Sequence, residues 1–148
     1  MTSLTDKARE VFGHDVYATR ATGVVIDGVE PGKAWCSVRL TEGLRNAMGA
    51  VMGGVMFTLA DLAFAAAANS RCLEQDEAIA WVTTGSSIEF LSQPKGDLLT
   101  AEAECVKQGR NSCLYLIRIS DGEKRDVALV TARGARIERV CRQESASK

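Results

Sequence analysis

Histidine is nearly absent: His14 is the only one in the chain. One imidazole cannot complete a usual zinc site, and nucleophilic serine or cysteine hydrolases need an imidazole beside the nucleophile. His14 itself, next to Gly13 after a short helical segment, reads as a surface or packing residue. The five cysteines form an odd set with no Cys-x-x-Cys spacing, so they read as reduced thiols and no metal or cofactor is expected. Net charge is also scarce, −1 with 18 basic and 19 acidic residues. Such a balance gives no electrostatic footprint for phosphate backbones or anionic lipid, which excludes nucleic acid and membrane surfaces as expected partners. The N-terminal residues lack the apolar stretch of a secretory signal, and the longest apolar run is broken by Asp61. A cytoplasmic protein is expected; if it is a hydrolase, a carboxylate has to act.

What is present is strongly patterned. The 148 residues suit one domain, long enough to remove roughly two-thirds of the unfolded surface from water. Leu4, Ala8, Val11 and Phe12 repeat with helical spacing, and Ser3 with Asp6 resembles a capping box, which predicts a short helix over 3–12 covering an edge or opening. Segments 17–29 and 33–40 carry β-branched and aromatic residues around Glu30-Pro31-Gly32, a type II turn sequence, and read as a hairpin. Residues 55–69 are good helix formers and apolar nearly all round, as in a helix enclosed on most sides. Extended segments follow at about 80–92, 97–108, 111–120 and 126–138. Their separators, around Pro94-Lys-Gly96, Gly109-Arg-Asn111 and Asp121-Gly-Glu-Lys124, have turn chemistry, so the strands are antiparallel neighbours. Trp35 and Trp81 read as sheet anchors, and the polar tail 139–148 as frayed. The resulting class is α+β: a curved antiparallel sheet of five to six strands around a long central helix.

Asp61 lies within that helix, flanked by Leu59, Ala60, Leu62, Ala63 and Phe64. It is too far from the helix start to cap it. An ionised carboxylate among apolar neighbours is costly unless paired, hydrogen-bonded or wetted. It is either a structural group on a wet stripe or a general base or nucleophile in a partly desolvated site.

The string Asn46-Ala-Met-Gly-Ala-Val-Met-Gly-Gly-Val-Met-Phe-Thr-Leu-Ala-Asp61 resembles the signature of the phenylacetic-acid-pathway type of hotdog acyl-CoA thioesterases. In that family an Asn, a Gly and His-Gly-Gly precede a helix carrying Leu-Ala-Asp. Ser87-Ile-Glu-Phe-Leu-Ser92 resembles the family's third strand, and Cys105-Val-Lys-Gln-Gly-Arg110 its turn between long strands. The resemblance implies a hotdog fold and hydrolysis of a small aryl-acyl or medium-chain acyl-CoA. It implies Asp61 as base or nucleophile and the Gly53 N–H as oxyanion donor at the helix start, where unpaired donors and the dipole favour negative charge. Gly54 beside it lets substrate approach the backbone.

Asn46 is implied near the reacting centre; its other reading is a loop-capping side chain that bonds its own backbone. Thr83 matches a water-orienting hydroxyl, or is an ordinary strand residue. Arg110 and Asn111 match a turn that meets the CoA moiety, or are solvated. Met48, Met52 and Met56 read as an apolar stripe of acyl wall or core. Met52 stands where the family has histidine. That departure removes an imidazole from the site's mouth and keeps a second function open, a non-catalytic acyl-CoA binder or sensor. A hotdog dehydratase is disfavoured, because such enzymes rely on a histidine.

Gly53 and Asp61 are eight residues apart, about 12 Å along a helix, too far to grip one carbonyl. If both serve one site they come from different subunits, which predicts a homodimer with two shared sites and, from the exposed sheet faces, pairing into a tetramer.

Overall fold

The computed structural model describes residues 1–139; the frayed tail expected over 139–148 lies, from residue 140 onward, outside the described residues. Helix α1, Leu4–Phe12, opens the chain, with Ser3 as its N-cap accepting the Asp6 N–H at 3.1 Å. Strands β1, Val25–Glu30, and β2, Lys33–Arg39, form the expected hairpin. Its turn glycine, Gly32, sits at φ +76°, the left-handed conformation that a type II turn requires.

After a 3₁₀ turn at Glu42–Leu44 comes the central helix α2, Gly53–Ala68, then the short α3, Ser70–Glu74. Four strands complete the fold: β3, Ile79–Phe90; β4, Leu98–Gln108; β5, Ser112–Ser120; β6, Asp126–Glu138. The sheet is six-stranded and antiparallel in the order β1-β2-β4-β5-β6-β3. No helix among the described residues is long and apolar enough to cross a membrane.

One expectation is overturned. Tyr17–Thr22, read above as the start of a strand, is a π-helical turn that ends at Gly23 with φ +87°. The aromatic Tyr17 and the β-branched Thr19 and Thr22 looked like strand, but Ala18 and Ala21 permit helix and Gly23 supplies the left-handed C-cap that stops it. Thr19 also satisfies its hydroxyl locally on the Asp15 carbonyl at 3.0 Å.

Five alanines of the strands, Ala34, Ala101, Ala103, Ala128 and Ala132, are buried beside larger residues such as Leu99, Tyr115, Ile117 and Ile119. Small side chains on both partners let an alanine-rich helix approach the strands closely, and Ala60, Ala63, Ala66, Ala67 and Ala68 provide that helix. Phe64 fills the remaining depth, edge-on to Tyr115 with ring centroids 5.4 Å apart. Gly134 is where this packing is tightest. A Cβ there would stand 2.8 Å from both Phe64 Cζ and Cys113 Sγ.

Helix α2 is not enclosed all round. Gly54, Phe57 and Asp61 are exposed, and Thr58 and Ala65 are half-buried, while the rest of the helix beyond Gly53 is buried. These positions recur at helical spacing and form one open stripe. Phe57, 38% exposed, is the large apolar group on it.

Candidate active site

Asp61 is held at the middle of that stripe. The Thr83 hydroxyl, from β3, donates to Asp61 Oδ1 at 3.2 Å. Sequence reading placed both residues in the site, and the fold brings them together across 22 positions. β3 is the last strand of the sheet, so Thr83 reaches Asp61 from an edge. The edge is positioned by Asn69, the C-cap of α2, whose Oδ1 accepts the Trp81 N–H at 2.8 Å while its Nδ2 donates to the Trp81 carbonyl at 3.1 Å. The same Nδ2 donates to the Ala65 carbonyl at 2.9 Å, which ties helix end and strand start into one unit.

A cleft of about 290 Å³ runs from Asp61 and Thr83 between α1, α2, α3 and β3. On the other side of Asp61 a second cleft, of about 400 Å³, is lined by Asp15, Tyr17, Phe57, Thr58 and Asp61. Asp15 is the residue that sequence reading missed. Burial, and then the charge of Asp61, push its carboxyl above the usual range, with His14 opposing the shift. A second carboxylate thus lines the same cleft as the first. The only signal for it was an acidic residue in the segment wrongly read as leading into a strand.

The start of α2 forms a separate region. Met52 precedes the helix, is 47% exposed, and spends its N–H on the Leu44 carbonyl at 3.0 Å. Gly53, the first helical residue, has an N–H with no acceptor inside the helix. Its open side faces Phe90: a Cβ there would meet the ring at 2.8 Å. Around Gly53 lies a cleft of about 400 Å³ lined by Val51, Met56, Phe90, Leu91 and Ser92. Nothing would lie within 4 Å of a Cβ at Gly54, so that glycine borders open space.

Gly53 and Asp61 therefore line different clefts of one chain. Asn46 sits in the loop before α2, where its Oδ1 accepts the N–H groups of Met48 at 2.9 Å and Ala50 at 3.0 Å. This is the loop-capping geometry, and the amide oxygen is spent on it.

Arg110 lines a groove of about 560 Å³ with Arg71, Lys107 and Arg136, cations that the sequence did not single out. Asn111 adjoins it, its carbonyl accepting the Arg136 N–H at 3.1 Å. Neither Arg110 nor Asn111 is near Asp61 in the sense of lining its clefts.

A six-stranded sheet curled around a helix that bares one carboxylate between flanking clefts is a hotdog-fold protein. The chain belongs to the thioesterase superfamily, whose pattern residues 48–128 match, and it is accordingly a thioester hydrolase. It is 34% identical over 131 residues to the acyl-coenzyme A thioesterase PaaI of Escherichia coli strain K12, across 88% of this chain and 89% of that one. Among solved structures, the E. coli PaaI protein from the phenylacetic acid degradation operon superposes with TM-score 0.77 at 32% identity, covering 93% of this chain and 99% of its own. A hypothetical thioesterase from Streptococcus pneumoniae TIGR4, solved with coenzyme A, gives TM-score 0.76 at 26% identity, covering 90% and 99%.

Proposed function

We propose that the chain hydrolyses an acyl-CoA thioester to the free acid and CoA, with Asp61 as general base or nucleophile. The observation that carries this reading is the bared carboxylate on an otherwise apolar helix, hydrogen-bonded by Thr83 at 3.2 Å and opening onto clefts on either side. In the water route, Asp61 accepts a proton as water oxygen bonds the thioester carbon. The carbonyl oxygen becomes an oxyanion, which then re-forms the carbonyl as the carbon–sulfur bond breaks, and the proton passes to the thiolate. Thr83 keeps the carboxylate oriented for the attacking group. The Gly53 N–H, aided by the positive end of α2, receives the oxyanion.

Because Gly53 and Asp61 line separate clefts, the Gly53 that serves a given Asp61 comes from a partner subunit. The open stripe of α2 and the outermost strand β3 are the surfaces on which such a homodimer forms, and dimers pair further into a tetramer. Arg110 with Arg71, Lys107 and Arg136 suits the phosphates of the nucleotide end, since guanidinium groups bind phosphate oxygens in pairs. The coenzyme A bound by the S. pneumoniae relative supports that choice of thiol.

Met52 favours a second reading, a protein that binds acyl-CoA without turning it over, since its thioether offers the mouth of the site no proton donor. A free-thiol assay over an acyl-CoA panel separates the two. Turnover that disappears in Asp61→Ala supports hydrolysis; saturable binding without thiol release by the wild type supports the binder.

A further inference from the structure

We infer that Asn69 is a positioning residue for the reaction: its side-chain amide sets where β3 lies against α2 and thereby holds the Thr83 hydroxyl on Asp61. This deepens the hydrolase reading of Asp61 and rests on it. Asn69 lines the cleft beside Asp61, but its oxygen is spent on one N–H and its nitrogen on two carbonyls. Its influence on the reaction therefore passes through the groups it holds.

The amide stands where the outermost strand needs it. Asn69 is 7% exposed at the C-cap of α2, and Trp81 lies near the start of β3. Trp81 is opposite Arg136 in the register with β6, yet the Arg136 N–H is donated to the Asn111 carbonyl, so this pair does not exchange ladder bonds. The polar groups of Trp81 turn to the helix instead. Asn69 Oδ1 accepts the Trp81 N–H at 2.8 Å and Nδ2 donates to the Trp81 carbonyl at 3.1 Å. One carboxamide thus does for Trp81 what a neighbouring strand does inside a sheet, because it carries an acceptor and a donor in one plane.

The same nitrogen donates at 2.9 Å to the carbonyl of Ala65, which lies about one helical turn beyond Asp61. A closed circuit results. It runs from Asp61 along α2 to Ala65, across the Asn69 amide to Trp81, and along β3 to Thr83, whose hydroxyl returns to Asp61 at 3.2 Å. Thr83 is exposed, so its angle is set by the anchored backbone before it more than by packing around its side chain.

Ser70 supplies the contrast. It is next in sequence and fully buried, and its hydroxyl donates to the Ala67 carbonyl at 2.7 Å and accepts the Gly32 N–H at 2.8 Å. It fastens the same helix end to the β1–β2 turn, not to β3. Losing the Ser70 bonds loosens the fold without freeing Thr83; losing the Asn69 amide frees the strand that carries Thr83.

The test is a mutant cycle read by thiol release, normalised to folded protein. Asn69→Ala lowers kcat about tenfold, the worth of one hydrogen bond to a charged group, while KM stays within about twofold because the lost interaction serves the reaction and not ground-state binding. Thr83→Val has the same effect, and adding Asn69→Ala to it costs less than about twofold more, since both act through one contact. In Thr83→Ser, which keeps the hydroxyl, Asn69→Ala still costs about tenfold. Ser70→Ala lowers the denaturant midpoint and leaves kcat unchanged. Without any turnover, hydrogen exchange finds the Trp81 amide protected in the wild type and open in Asn69→Ala. If the alanine variant does not fold, Asn69→Asp takes its place: it keeps the shape and the acceptor for the Trp81 N–H but neither donation. Equal kcat losses from the Asn69 variant with and without the Thr83 hydroxyl overturn the proposal. So does a kcat loss in Ser70→Ala as large as that in Asn69→Ala, or a wild-type Trp81 amide that exchanges freely. Those results leave the Asp61 reading standing, whereas full turnover by Asp61→Asn removes that reading and the positioning role with it.

Discussion

The two edges of the sheet are finished in different ways. At the β1 edge, α1 lies alongside and its side chains satisfy the strand. Thr5 Oγ1 accepts the Val29 N–H at 3.0 Å, Arg9 Nε donates to the Ile26 carbonyl at 2.9 Å, and an Arg9 amino group reaches the Asp27 carbonyl at 3.3 Å. At the β3 edge, among the described residues, the backbone of the first stretch is tied down by Asn69 on Trp81. Beyond it Val82, Thr83 and Thr84 are exposed, and so are Glu89 and Phe90. A bare strand edge is a template for pairing, and proteins normally cover it. Here the bare edge is the one that carries Thr83, the hydrogen-bond partner of Asp61.

Breaking the functional side of this contrast has the largest expected effect. Asp61→Asn keeps the shape and a hydrogen bond for Thr83 but cannot accept the proton, so kcat falls about 10²–10⁴-fold, measured by thiol release, with an unchanged circular dichroism spectrum. Val82→Lys places a charge on the open edge, where the side chain is 39% exposed. It is expected to give a folded monomer by sedimentation, with activity lost in proportion to the dimer. An active monomer would show that the site needs no partner subunit.

The interior behind the two edges is less forgiving than either. Gly134→Ala forces a methyl against Phe64 and Cys113, and overpacking of this kind costs about 1–3 kcal/mol, read from denaturant midpoints. Asp121 is buried beneath the turns that join β3 to β4 and β5 to β6. It accepts the N–H groups of Lys95, Glu123 and Arg125 and pairs with the Arg125 guanidinium at 3.1 Å. Those backbone bonds, with Arg125, hold its carboxyl down at about 2, below the ordinary 3.8. A carboxyl lowered on folding stabilises the fold above pH 3.8, and the contribution is lost as pH falls through about 2. Asp121→Asn should therefore be less stable at neutral pH and show a flatter stability curve across that window.

Asp15 has the opposite sign. Its carboxyl is raised, so the folded state favours its protonated form, and that contribution fades as pH rises through its folded value. Asp15→Asn, which keeps the shape without the titrating group, is expected to remove that pH dependence of stability, read from denaturant midpoints across the acid range. At the covered edge the effect is smallest: Thr5→Ala costs about 1 kcal/mol of stability, with assembly and turnover unchanged.

Much of this was legible in the sequence, for physical reasons. Strands with turn chemistry between them, and a helix without a polar face, fix an antiparallel sheet around a core helix. Asp61 was conspicuous because a carboxylate among alanines and leucines demands an explanation. The π-helical turn at Tyr17–Thr22 was not legible, since β-branched residues favour strand locally and only the tertiary setting and Gly23 override them. Asp15 was hidden for the same reason: its meaning depends on the chain turning back toward α2. Asn69 looked like the end of a helix, and its clamp on Trp81, 12 positions on, exists only in the folded chain. Asn46 had two readings, and the hydrogen bonds to Met48 and Ala50 match the structural one.

The central claim is that one site draws Asp61 from one subunit and Gly53 from another. It is tested most directly by mixing Asp61→Asn chains with Gly53→Pro chains, the latter lacking the N–H at a first helical position that suits the proline backbone, with the exposed Phe90 ring turning aside for the new Cβ. Each variant alone should be inactive, and after dissociation and random reassociation thiol release should return to about a quarter of the wild-type rate, since half the dimers are mixed and one of their two sites is intact. Mixed dimers that form yet stay inactive would contradict the account.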